Sequence, residues 1–252
     1  MSDAWDFYFA KVNGELASLF VDLGIRDRVP DQQRPWLLWV WVKLNKPRDD
    51  GLSSEEEAPR LFEIEDALPK GVRETTGAEF VGRITTAGRR EFYFYGPRPD
   101  GFREAVTNVF ENFPEYSFQL GKKEDPAWSQ YLDVLYPSPR MRQQIDNHRV
   151  IEALERHGDP LTAPRPVSHW VYFPSTEKRA EFVRRVKSKG FKVTDESEDN
   201  DPTAKYRYSV TLERTDRVDW QSINEVTLEL FDLAQELGGE YDGWETKVEN
   251  GT

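Results

Sequence analysis

The sequence predicts an α+β fold: two tandem sandwiches of the order β-α-β-β-α-β, each with an antiparallel sheet. Three observations predict it. The same order of elements can be read twice, from Trp36 and again from Val167, although the residues themselves do not repeat. Strand-like runs rich in Trp, Val, Tyr and Phe alternate with runs whose apolar residues recur at helical spacing. A chain of 252 residues, 37% hydrophobic and 13% aromatic, can fill two cores.

The elements follow in order. WDFYFAKVNGELASLFVDLGI reads as an added hairpin, with Asn13-Gly14 at its turn. WLLWVWVKL, from Trp36, is the first strand of the first unit. Ser53 and Ser54, followed by Glu55, Glu56 and Glu57, place acids where a helix dipole favours them. That helix carries Leu61, Ile64 and Leu68 and is expected to end before Gly71. EFVGRITT and RREFYFYG form a hairpin about Ala87-Gly88. GFREAVTNVFENF is an amphipathic helix with Phe102, Val106, Val109 and Phe113 on one face, and EYSFQL closes the unit. Two connecting helices are expected next. One begins at Asp125-Pro126, with Trp128, Leu132 and Leu135 on a face; the other runs from Ser138-Pro139 to Gly158.

The second unit opens with the strand VSHWVYF. Ser175 caps a helix through Ser188, stopped by Gly190. FKVTDE, an acidic turn DESEDNDP and KYRYSVTLE make the middle pair. Asp219 caps a helix striped by Ile223, Val226, Leu230, Leu233 and Leu237, and YDGWETKVE is the last strand. The expected organisation is a ferredoxin-like domain with its hairpin over 1–137, a linker helix over 138–160 and a second ferredoxin-like domain over 161–252.

Composition narrows the function. The net charge is -12 and both halves are acidic, so the long-range field repels polyanions and suits a basic partner. Without cysteine, thiol catalysis and Cys-ligated zinc are excluded. No apolar run reaches membrane-spanning length, and MSDAWDFYFAKVNGEL lacks a basic-then-apolar leader pattern, so a cytoplasmic protein with no membrane partner is expected. No P-loop, dinucleotide glycine pattern or G-x-S-x-G occurs, and His148, His157 and His169 lack metal-ligand spacing. No catalytic residue, metal site or cofactor is expected.

In the second half, SHWVYF, GFKV, the acidic turn and LAQELGGEYDGWETKV resemble the RraB family, regulators of ribonuclease E. Tyr241-Asp242-Gly243-Trp244 after Gly-Gly is the most specific piece, and His169-Trp170 resembles the family's His-aromatic opening strand. The first half resembles a domain of unknown function sometimes fused to an RraB-like domain, through GRITTAGRREFYFY and the run Asp125 to Pro137. The resemblance implies a non-catalytic ferredoxin-like protein that binds another protein. For RraB proper that partner is ribonuclease E, bound outside its catalytic core.

Four groups are candidate sites. Trp39, Trp41, Arg83, Tyr93 and Tyr95 would form a base-stacking platform for single-stranded RNA if they shared an open sheet face. The competing reading covers that face with the added hairpin, whose Trp5, Phe7 and Phe9 need burial, or with the other domain. His169, Trp170, Tyr241, Asp242, Gly243 and Trp244 read first as structural, Gly243 making a bulge and Trp244 packing on the sheet, and second as an interface. The acidic turn Asp195, Glu196, Glu198, Asp199 and Asp201 lacks an EF-hand pattern and reads as a solvated loop or a contact for a basic partner. Arg184, Arg185, Lys187 and Lys189 crowd a helix C-terminus, where the dipole favours cations; the alternative reading is a dock for an acidic peptide or phosphate. The expected function is regulatory binding of an RNA-processing enzyme such as ribonuclease E. A single-stranded RNA-binding module and a hydrolase of unknown substrate are the alternatives.

Overall fold

A computed structural model describes Ser2 and residues 4–249. The chain divides into two compact units, one ending at Pro137 and the other beginning at Ser138. The architecture is α+β, with one six-stranded and one four-stranded antiparallel sheet.

In the first unit the hairpin β1 (Trp5–Val12) and β2 (Glu15–Asp22) turns on Asn13 and Gly14, both at positive φ (53° and 88°). That turn matches the right-handed twist of the strands. A short 3-10 helix, Leu23–Arg28, leads to β3 (Trp36–Lys43). Helix α1 (Ala58–Thr76), β4 (Glu79–Thr86), β5 (Arg89–Gly96), α2 (Phe102–Phe110) and β6 (Phe118–Glu124) complete the unit. The strand order is β1-β2-β4-β5-β3-β6. The last four make the ferredoxin-like order, and the hairpin extends the sheet at the edge of β4. Leu38, Val40 and Val42 of β3, Phe92 and Phe94 of β5, and Leu61, Ile64, Leu68 and Val72 of α1 fill the core between sheet and helices.

Three expectations for this unit are corrected. Helix α1 does not stop before Gly71; it runs to Thr76 and ends on Gly77, at φ 72°, whose N–H bonds Arg73 O at 2.9 Å. Gly71 is a packing glycine instead: a Cβ there would lie 2.7 Å from Cγ2 of Val109 on α2. The acids Glu55 to Glu57 precede the helix. Glu57 is buried, and its carboxylate accepts the backbone N–H groups of Asn45 (2.7 Å) and Lys46 (2.9 Å). The connecting helix expected from Asp125 is a turn followed by a short π-helix, Gln130–Leu135.

The second unit begins with α3 (Pro139–Arg156), capped by Ser138. Then come β7 (Arg165–Phe173), α4 (Thr176–Lys187), β8 (Lys192–Glu198), β9 (Tyr208–Asp216), α5 (Trp220–Glu236) and β10 (Glu240–Thr246). The order β10-β7-β9-β8 is again ferredoxin-like. Ser175 and Asp219 cap α4 and α5 by accepting from Lys178 N and Ser222 N. Helix α3, expected as a connector, packs on α5 and β10 through a buried polar network. Asn147 Nδ2 donates to Asn224 Oδ1 (2.9 Å) and Thr227 Oγ1 (2.7 Å), while its Oδ1 accepts from Gln143 Nε2 (2.9 Å) and Trp244 Nε1 (2.9 Å). None of its fully buried side-chain nitrogens and oxygens lacks a partner, so it fixes the seat of α3 at little cost.

The acidic stretch is corrected as well. Asp195, Glu196 and Glu198 lie in the edge strand β8, paired with Thr211, Val210 and Tyr208. Only Asp199 and Asp201 belong to the turn, where Asp199 Oδ1 accepts Asp201 N (2.9 Å) and Asp201 Oδ1 accepts Thr203 N (2.8 Å). The charges protect an edge that would otherwise template another strand.

Candidate functional site

In the first unit the sheet face away from α1 and α2 carries Leu37, Trp39 and Trp41 of β3. Opposite them on β5 stand Tyr95, Tyr93 and Glu91. The added hairpin extends this sheet rather than covering it, and the segment after β6 buries part of the face. Trp128 lies parallel to Tyr95 with ring centroids 3.9 Å apart and an interplanar angle of 6°. Asp125 Oδ2 accepts from Tyr95 Oη at 2.5 Å, and its carboxylate also takes the N–H groups of Ser129 and Gln130, at 3.1 Å each. Tyr131 Oη donates to Asp22 O (2.7 Å), and Tyr8 Oη of β1 donates to Leu135 O (2.9 Å). Gly82 leaves room for the approach: a Cβ there would lie 3.4 Å from Cδ1 of Leu135 and 2.8 Å from Phe20 O. The run Asp125 to Pro137 is thus a strap across the sheet. Burial works against the Asp125 charge, but the Tyr95 hydroxyl and the two amides hold its pKa below the ordinary value. Burial and the Asp125 carboxylate push Tyr95 far up, so it stays a donor.

The expected platform is divided by this arrangement. Tyr95 is fully buried under Trp128, and Tyr93 is buried with its hydroxyl donating to Glu91 at 2.5 Å. Arg83 is on the opposite face: its Nε lies 2.7 Å from Glu65 of α1, and its guanidinium covers the Phe20 ring at 5.1 Å. Only Trp39 and Trp41 remain half-exposed together. On the helix side, a groove of ≈ 860 Å³ lies against Trp5, Phe20 and Phe80. Its rim mixes Lys70 and Arg73 with Asp66 and Glu74, so it presents no preferred charge.

In the second unit the signature residues are structural. Gly243, at φ 131°, sits at the register shift between β10 and β7. Trp244 is buried against Ile151, Leu154 and Ile223, and its indole N–H joins the Asn147 network. Tyr241 is buried, with its hydroxyl 2.9 Å from Nδ1 of His169. His169 is buried beneath the helices, and its Nε2 has no partner among the described residues. Desolvation, with the nearby Arg214 charge, lowers its pKa to about 3, so it is neutral at physiological pH.

Among the described residues of the second unit, no strap crosses the other side of this sheet. Strand pairing puts Trp170 beside Thr211 and Gly243, Tyr172 beside Ser209 and Glu240, and Ser168 beside Glu213 and Glu245. Asp195 opposes Thr211 and shares this face, and the Ser197 and Ser209 hydroxyls meet on it at 2.6 Å. Asp242 is exposed; burial, its charge and its hydrogen bond raise the Tyr172 pKa. Two half-exposed aromatic rings are therefore ringed by Asp195, Glu213, Glu240, Asp242 and Glu245, with the exposed Lys192 opposite Glu213. The remaining acids point elsewhere: Glu196 pairs with Arg179 (3.1 Å) and Glu198 with Arg207 (2.7 Å). Strand alternation splits the acidic run between the two faces. Tyr172 shares Trp170's face by strand alternation and was missed in the sequence, whereas Glu213, Glu240 and Glu245 were missed because only the register brings them to this face.

The helix cations are largely spent internally. Arg184 and Arg185 bond Glu181 (2.7 and 2.8 Å), which these bonds hold at about 2, and Lys189 bonds Glu229 (2.6 Å). His148 lies 3.6 Å from Glu152, and His157 Nδ1 donates to Ala153 O (2.6 Å). Among the described residues no group of His, Asp or Glu is arranged to hold a metal, and no helix is long and apolar enough to cross a membrane.

Residues 3–136, which span the first unit and all of the strap but Pro137, match the model of a family of unknown function, DUF695. The chain belongs to this family. Its residues 144–246 match a second model, Regulator of ribonuclease activity B, so a DUF695 unit is followed by an RraB domain. That domain supports a regulatory, protein-binding role. No curated protein matches the chain. Among solved structures, a "Crystal Structure of an Unknown Protein from Galdieria sulphuraria" is 13% identical, with 85% of this chain and 99% of that chain covered and a TM-score of 0.24. A "Crystal structure of putative glycine cleavage system transcriptional repressor" is 12% identical, with 84% and 98% covered and a TM-score of 0.23.

Proposed function

We propose that the chain is a non-catalytic cytoplasmic regulator that binds an RNA-processing enzyme, with ribonuclease E as the first candidate, through the open sheet face of its RraB domain. The observation that carries this reading is the pairing of the RraB match with an uncovered face on which Trp170 and Tyr172 stand among five carboxylates. Aromatic rings supply anchoring area at an interface, and a surrounding acidic rim steers a basic segment into register. Regulation then works by occupancy: the partner's basic segment is sequestered, and no bond is made or broken.

The test is affinity purification of the full chain from native lysate, with and without nuclease. The expected result is stoichiometric ribonuclease E, or another RNA-processing enzyme, in both samples, lost from the Asp195→Lys, Glu213→Lys variant. Retention by that variant, or absence of any such enzyme, overturns the reading.

A further inference from the structure

The strap leaves one strip of the first unit's sheet uncovered. Along β3 this strip is Trp39 and Trp41, between the buried Leu37 and the exposed Lys43, and on β6 Lys123 opposes Leu37, Gly121 opposes Trp39 and Gln119 opposes Trp41. Gly121 is what shapes it. The Trp39 indole lies across the glycine: a Cβ at position 121 would fall 2.2 Å from Cζ2 and 2.5 Å from Cε2 of that ring. Any other residue would lift the indole off the sheet, whereas glycine lets it lie flat. No other aromatic ring stacks on Trp39 or Trp41 among the described residues; Trp41 is met by the Arg89 guanidinium, 4.6 Å from its centroid. The two rings are two residues apart on one strand, about 6.8 Å, a spacing that an extended single strand can match from one base to the next.

The charges follow the same line. Lys123 stands at the Trp39 end, and Lys43 stands at the Trp41 end beside a cleft of ≈ 470 Å³ lined by Trp41, Pro47, Arg89 and Gln119. Both lysines are exposed. The carboxylates nearest the strip, Glu91 and Asp125, are buried and committed, the first to Arg89 and Tyr93, the second to Tyr95, and Glu79, opposite Tyr95 on β4, is paired with Arg34. In a chain of net charge -12, this strip presents flat aromatic surface between cations and no free anion at the opposed positions.

We propose that the Trp39–Trp41 strip of the DUF695 unit is a binding site for single-stranded nucleic acid, with bases stacked on the two indoles and phosphates held by Lys43, Arg89 and Lys123. Stacking on an aromatic side chain is sequence-tolerant, because every base has a π-face. Two stacked bases and about three phosphate contacts give a modest site. The RraB domain can then hold a protein partner while the first unit contacts that partner's RNA.

The test is direct titration of the full chain with a short fluorescein-labelled oligouridylate at low salt, read by anisotropy and by quenching of tryptophan emission. Oligothymidylate and polyglutamate are run in parallel. Binding of either oligonucleotide is expected, with a log-log salt slope of about -2 for three contacts on a single strand. Trp39→Ala or Trp41→Ala should weaken it about 5- to 150-fold. Should those variants melt early, the Lys43→Glu, Lys123→Glu double variant keeps the test intact, because both positions are exposed: binding should vanish with the melting temperature unchanged. The proposal is overturned if neither oligonucleotide binds, if the lysine variant binds as the parent does, or if polyglutamate binds as tightly as oligouridylate. None of these outcomes depends on whether the RraB domain captures a ribonuclease.

Discussion

On the first unit's second sheet face, Trp128 stacks on Tyr95 at 3.9 Å and Asp125 takes a hydrogen bond from the same ring's hydroxyl. On the corresponding face of the RraB domain, Trp170 and Tyr172 are half-exposed and surrounded by carboxylates. The strand order about each central pair is the same. The difference is the segment Asp125 to Pro137 after β6: under the strap the aromatic face is a second core about Tyr95, and beyond it, as on the RraB domain, it is a surface. An aromatic strand does not by itself say which of the two it is.

The largest effect that can break this comparison is removal of the strap's anchor. Trp128→Ala should destabilise the first unit by about 3–5 kcal/mol, as expected for truncating a buried aromatic residue. Trp170→Ala should cost the RraB domain about 1 kcal/mol or less and weaken partner binding instead. Thermal melts of both variants decide it, and equal losses would mean that the RraB face is as packed as the strapped one. Next in size is Asp125→Asn, which keeps the shape but removes the charge that receives Tyr95 and two amides. A loss of about 1.5–3 kcal/mol is expected, with Tyr95 becoming accessible to nitration.

Acid should separate the two units. His169 is held neutral, its pKa lowered to about 3 from the ordinary 6.5. Below pH 6.5 the unfolded chain takes up a proton that the folded RraB domain refuses. Stability of that domain should therefore fall by about 1.4 kcal/mol per pH unit until pH approaches 3. Asp125 is depressed below its ordinary 3.8, so the contribution of the strap persists down to that pH and is lost only as the pH falls through the lower folded value. Hydrogen exchange on acidification should show the RraB domain opening first, and His169→Phe should flatten its pH dependence. The smallest effect is expected from Asp195→Asn with Glu213→Gln: no change in melting temperature, but a weaker, less salt-sensitive grip on a basic partner.

Much of the fold was legible from local chemistry. Asn13-Gly14 and Ala87-Gly88 set their hairpins because those turns need positive φ, and Ser175 and Asp219 start their helices because their side chains satisfy orphan N–H groups. Gly71 misled, because a glycine that makes room for Val109 looks, in sequence, like one that ends a helix. The acidic run from Asp195 also misled, because an edge strand armed with charges has the composition of a loop. The site residues were legible as types only. The aromatic pairs on β3 and β7, the bulge at Gly243 and the strap motif all stand out in the chain. Arg83 was placed with the wrong partners, because a bulge between Phe80 and Gly82 separates the pairing of β4 from simple alternation.

By itself, then, the sequence determined the elements, their order in two ferredoxin-like units and the residues that fill each core, because these depend on periodicity, turns and caps within a few positions. Only the tertiary structure decided which aromatic face is covered, which acids gather around Trp170 and that Gly121 lays Trp39 flat. Those outcomes depend on register and on a segment folding back across the sheet, and such contacts between residues far apart in the chain leave no periodic trace in it.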